Sequence, residues 1–189
     1  MLTGAIALKK STPKGPFLIF ILVLTSFSLD FGAYLFAKVY GYNYWIINVY
    51  FFLELIVLIA FFHGELSKKG IVLLIGLLLG VSLSYHFLIN GFHSRPATYN
   101  ALNNFVQIFF SLWLYYCIFQ QGTDIFIENS FIFWANTGIL VYFSGSLFTI
   151  ILGSEILSNP SLTWTFHNIA NILKNLLFAI GLWKVRATV

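Results

Sequence analysis

Six long apolar runs follow one another along the chain, at approximately residues 16–37, 44–63, 70–89, 99–120, 130–153 and 163–184, separated by short stretches of charge, glycine, proline and asparagine. Each is about the length that crosses a hydrocarbon core as an α-helix, at ~1.5 Å per residue. The other spanning solution, a closed β-barrel, needs ~10-residue strands that alternate apolar and polar positions. Runs such as IVLLIGLLLGVSL do not alternate. The pattern therefore predicts an all-α fold, a polytopic transmembrane helical bundle with six spans, forming a single domain over residues 1–189.

Composition agrees: 59% hydrophobic, 20% aromatic and only 8% charged residues, with a mean hydropathy of +0.88, lie outside the range of soluble domains. Lys9, Lys10, Lys14, Lys68, Lys69, Lys184 and Arg186 fall on one side of the spans, and Lys38 and Arg95 on the other. Because cytoplasmic loops are enriched in Lys and Arg, this bias predicts a multi-pass protein of the plasma (cytoplasmic) membrane with both termini inside. Trp45 and Trp164 then lie near the outer interface and Trp134 and Trp183 near the inner one, as aromatic belts require. The net charge of +4 is mostly this bias and implies no nucleic-acid partner.

A cleavable signal peptide is rejected for the first run, whose apolar character continues to Phe36 and whose TSFSLDFGA stretch lacks a good small-x-small cleavage pattern. Small residues recur every four positions at Gly76, Gly80 and Ser84, and again at Gly145, Thr149 and Gly153, as packing seams within the bundle or between copies. Cys117, the single cysteine, reads as inert packing.

Placed by depth, the polar residues concentrate in the outer half of the bilayer. Asp30 lies past the middle of the first span. Asn48 is in the outer half of the second, with Tyr50 and Glu54 stacked four apart, and His86 is near the outer end of the third. Asn100, Asn103, Asn104 and Gln107 share a face of the fourth. In WTFHNIANILKNLLFAIGLWK, the residues His167, Asn168, Asn171, Lys174 and Asn175 fall within an arc of roughly 120°. Asn136, in the inner part of the fifth span, is the main exception. A charge facing lipid costs at least ~2.5 kcal/mol, so such faces belong inside the bundle and predict an outward-facing polar pocket.

Glu54 and Lys174 share mid-span depth. They read either as a structural ion pair or as the ionisable members of a ligand site. His86, His93 and His167 all lie outside, but their spacing matches no zinc signature, and a hydrogen-bonded interfacial role outweighs metal ligation. HExxH, GxSxG, a phosphate-cradling glycine loop and a cysteine pair are all absent from the sequence, so nothing in it supports an enzyme or names a cofactor.

FWANTGILVYFSGSLF at 133–148, WTFHNIANILKNLLFAIGLWK, and GYNYWIINVYFFLELIVLI at 41–59 resemble a family of small, uncharacterised bacterial integral membrane proteins with seven helices. The resemblance covers most of the chain from about Pro16. It implies an additional first helix, with MLTGAIALKK resembling that helix's cytoplasmic end, so that the native protein would have seven spans and an outside N-terminus. With seven spans, the Glu54 and Lys174 positions are similar to the counter-ion and Schiff-base lysine of retinal proteins.

The leading expectation is a receptor- or sensor-like bundle that binds a small or lipid-like ligand, working as a homo-oligomer or with a membrane or cytoplasmic signalling partner. A small secondary transporter is the alternative. A retinal-type protein and a structural or assembly subunit are further ones.

Overall fold

A computed structural model describes residues 14–41, 43–94, 96–121, 127–152 and 160–186. Lys9, Lys10, Arg95, Gly153 and the MLTGAIALKK segment lie outside these residues. Six α-helices follow in order: α1 (Lys14–Tyr40), α2 (Tyr44–Glu65), α3 (Lys69–Asn90), α4 (Ala97–Gln121), α5 (Phe131–Leu152) and α6 (Pro160–Arg186), with a 3-10 turn at Ile127–Asn129 before α5. The fold is an all-α helical bundle with no strand among the described residues.

The helix ends follow the chemistry of the chain. Gly41 and Gly91 close α1 and α3 with φ of 78° and 79°, a left-handed conformation that glycine adopts without steric cost, and their amides bond Ala37 O and Phe87 O at 3.0 Å. Pro96 precedes α4, and Pro160 opens α6, where its missing N–H would have no helical partner in any case.

Five of the helices, all but α6, are long and apolar enough to cross a bilayer. At 27 residues α6 is long enough, about 40 Å at 1.5 Å per residue, but His167, Asn168, Asn171, Lys174 and Asn175 lower its hydropathy. The protein is a multi-pass membrane protein, and its surface shows why. Leu88 is 85% exposed, Trp183 77% and Phe27 72%, and most of the exposed residues of α1 and α3 are apolar. In water such surface would drive aggregation, whereas in a bilayer it meets acyl chains.

The helices divide into two compact units, Phe17–Phe105 and the chain from Val106 onward. In the first unit α2 is the central helix, with 56% of its apolar window buried against 22% for α1 and 17% for α3. It meets α1 through the edge-on Phe36 and Trp45 rings and an Asn43 amide donating to Ala33 O (3.2 Å). It meets α3 where Gly76 leaves room for Ile59; a Cβ there would lie 2.8 Å from that side chain. Of the small-residue seam anticipated on α3, Gly76 is used fully, Gly80 is only in ordinary contact with Leu55 (4.0 Å), and Ser84 is exposed, its hydroxyl donating to Gly80 O.

In the second unit α5 and α6 form a close antiparallel pair. A Cβ on Gly138 would reach within 2.8 Å of the Phe178 ring and 3.2 Å of Lys174 O, and one on Gly145 within 2.7 Å of Ala170 Cβ. Gly181 meets Trp134 and Phe131 in the same way. The seam thus runs through Gly138 and Gly145, seven apart; of the stripe expected at Gly145, Thr149 and Gly153, Gly145 is used and Thr149 is buried. Seven residues return a helix almost to the same azimuth, so it holds a facing helix along its length. At the far end Lys184 Nζ donates to Asn129 Oδ1 (3.1 Å) and the Trp134 indole to Glu128 O (2.6 Å), tying α6 and α5 to the 3-10 turn.

Candidate functional site

In the second unit the buried stripe of α6 is Ala170, Lys174, Phe178 and Gly181, with His167, Asn168, Asn171 and Asn175 half-buried beside it. Lys174 therefore sits at the centre of the face turned toward α5, 2% exposed. Its Nζ lies 3.9 Å from the centroid of the Tyr142 ring, and the Tyr142 and His167 rings approach with centroids 5.7 Å apart. Tyr142 is itself buried. A cation over an aromatic face gains about 2 kcal/mol when desolvated. That is close to the minimum penalty of ~2.5 kcal/mol for a charge in the membrane interior, so the ring offsets most of it.

Nearer the α5 N-terminus a second polar cluster joins α5 to α4. The Asn136 amide donates to Ser111 O (3.0 Å), the Thr137 hydroxyl to Phe133 O (2.7 Å), and the Tyr115 and Thr137 hydroxyls bond one another. Asn136 and Ser111 are both fully buried, and neither Asn136 Oδ1 nor Ser111 Oγ has a hydrogen-bond partner among the described residues. Buried acceptors of this kind are what an internal water or a polar solute satisfies. Gln107, also fully buried, lies one turn before Ser111 on α4.

In the first unit Tyr50 and Glu54 meet as their spacing predicts, the hydroxyl donating to Glu54 Oε1 at 2.7 Å; Glu54 is 2% exposed. Asn48, 1% exposed, donates its amide to Phe92 O (2.6 Å) and Ser94 O (3.1 Å), clasping the connection between α3 and α4. His86 is half-buried, with Nε2 bonded to Ser94 Oγ (2.9 Å) and Nδ1 near the Asn90 amide (3.3 Å). Since Ser94 Oγ donates to Gly91 O (2.7 Å), it accepts from His86 Nε2–H, which leaves Nδ1 to accept from Asn90. Asn103 and Asn104 are buried on α4, whereas Asp30 is exposed on α1.

The structure thus brings Tyr50 to Glu54 and places Lys174, His167 and Asn171 on one face. It gives Asn48 a structural task and leaves Asp30 on the surface. Sequence reasoning missed Tyr142 and Ser111. A tyrosine in mid-span was a usable signal, since its hydroxyl favours the interface. No family model, curated protein or solved structure matches this chain.

Proposed function

We propose that the protein is a receptor- or sensor-like membrane bundle that binds a small or lipid-like ligand through its polar face in the outer half of the bilayer. The observation that supports this is Lys174, buried on a membrane helix over the Tyr142 ring with His167 and Asn171 on the same side. An apolar residue of equal volume would pack a helix pair as well or better, so stability alone does not account for an amine at this depth. Glu54, held by Tyr50, is the acidic member of the proposed machinery. In the same reading the protein is a bacterial inner-membrane protein of the uncharacterised seven-helix family, with its C-terminus in the cytoplasm. It passes occupancy to a second copy or to a membrane or cytoplasmic partner.

The test is to purify the wild-type chain and Lys174→Met from native membranes and compare the small molecules and lipids extracted from each by mass spectrometry. A species enriched on wild type and lost from a folded Lys174→Met protein is the expected result. Identical extracts overturn the reading. A visible absorption band on adding retinal, lost in Lys174→Ala, would replace it with a Schiff-base protein.

A transporter is the second reading, favoured by the Ser111, Asn136, Thr137 and Tyr115 cluster, which extends buried polar groups beyond the Lys174 level toward the other membrane face. Solute flux into proteoliposomes that Glu54→Gln abolishes would select it.

A further inference from the structure

We propose that one water molecule, enclosed between α4 and α5, joins the Ser111 hydroxyl to the Asn136 side-chain carbonyl and so completes the polar contact between these two helices. Both residues are fully buried, and both belong to the unit from Val106 onward. Neither Ser111 Oγ nor Asn136 Oδ1 has a hydrogen-bond partner among the described residues, although the Asn136 amide donates to Ser111 O (3.0 Å). That bond brings the two residues together. It also fixes the amide, because the flipped side chain would set two carbonyl oxygens against each other.

Ser111 departs from the habit of other helix hydroxyls in this chain. Thr25, Ser28, Ser84 and Thr137 each donate to the carbonyl four residues earlier in their own helix, at 2.7–2.9 Å. That bond satisfies a serine or threonine hydroxyl inside the helix itself, with no help from a neighbour. Ser111 is more deeply buried than any of the four and does not make it. Leaving a buried donor or acceptor unmet costs more than a typical hydrogen bond contributes, so a hydroxyl held away from its local acceptor calls for a partner elsewhere. Asn136 Oδ1, on the facing helix, calls for one too.

The hydrogens identify the guest. Asn136 Oδ1 can only accept, so its partner must donate, whereas the Ser111 proton needs an acceptor. Water does both at once, donating to Asn136 Oδ1 and accepting from Ser111 Oγ. A metal cation would be ligated by both oxygens but would leave the serine proton unmet. It would also bring a charge into the membrane interior among Ser111, Tyr115, Asn136 and Thr137, none of them acidic. Tyr115 lies one turn on from Ser111, with its hydroxyl beside the Asn136 side chain. The Thr137 hydroxyl donates to Phe133 O, so it accepts from Tyr115, which leaves the Tyr115 oxygen to accept the second hydrogen of the water. The water then makes three hydrogen bonds, the usual number for a buried one at ~3. The site uses none of the side chains around Lys174, so it stands or falls independently of the function proposed for them.

The full chain is crystallised from a lipid phase with and without a rubidium soak, which marks monovalent cation sites by anomalous scattering. A single-atom density peak is expected about 2.7–3.1 Å from both Ser111 Oγ and Asn136 Oδ1, with no rubidium signal, and Lys174→Met should keep it. Thermal unfolding in detergent gives a second reading. Ser111→Ala should lower the melting temperature by about 2–4 °C in the wild-type background and have no effect in Asn136→Leu, because the two side chains act on each other only through the water. A rubidium peak at the site overturns the proposal. So does a wild-type map in which the Ser111 hydroxyl bonds Gln107 O with no density beside Asn136, a result that needs no variant to fold. An equal loss from Ser111→Ala in both backgrounds overturns it as well.

Discussion

Lys174 lies over the face of Tyr142, its Nζ 3.9 Å from the ring centroid, and this contact makes a quantitative prediction. Tyr142→Leu, with Lys174 retained, should lower stability by about 2 kcal/mol beyond its packing loss, because the charge stays buried without its ring. In Lys174→Met the same tyrosine substitution should lack that excess. Thermal unfolding of the four proteins in a double-mutant cycle reads the difference as coupling, and zero coupling would show that the ring is only a neighbour. Lys174 and Glu54 were legible in the sequence because a charge inside an apolar run is conspicuous. Tyr142 was not, since one aromatic among 20% carries no label of what lies above it. Asp30 shows the limit of placement by depth. The buried stripe of α1 is Ile19, Leu22, Ser26 and Ala33, and Asp30 lies roughly 50° from its centre, far enough to be exposed.

At the scale of elements, hydropathy located the helices to within a few residues because span length is set by the bilayer, not by local propensity. The seams were harder to read, since a glycine every fourth residue does not say which side another helix will take. Their tightness makes a second prediction. Gly145→Ala places a methyl 2.7 Å from Ala170 Cβ and should destabilise the α5 and α6 pair by about 1–3 kcal/mol. Gly145→Ala with Ala170→Gly should recover most of the loss, because the methyl merely changes sides. Gly80→Ala, whose nearest neighbour is 4.0 Å away, should be nearly silent. Melting temperatures in one detergent separate the three, and a silent Gly145→Ala would mean that the pair adjusts more freely than its contacts indicate.

For the whole molecule, the charge bias and the two connections make orientation measurable. In a Cys117→Ser background, a cysteine at Gly91 should react with a membrane-impermeant maleimide on intact cells, and one at Ser67 only after permeabilisation. The reverse labelling would invert the proposed inside and outside and move the polar half to the cytoplasmic leaflet. Fold class was readable from the sequence because the membrane imposes it. Function was not, because a pocket's occupant is encoded in the mutual positions of side chains from separate helices. The connection from α2 to α3 carries one more consequence. Leu66 is fully buried, only Ser67 and Lys68 follow it before α3, and Ile59 fills the space over Gly76. During synthesis these two helices need nothing made after Asn90 to complete their contact. They are suited to leave the translocon together as a hairpin, so Glu54 enters lipid with a neighbouring helix already beside its own.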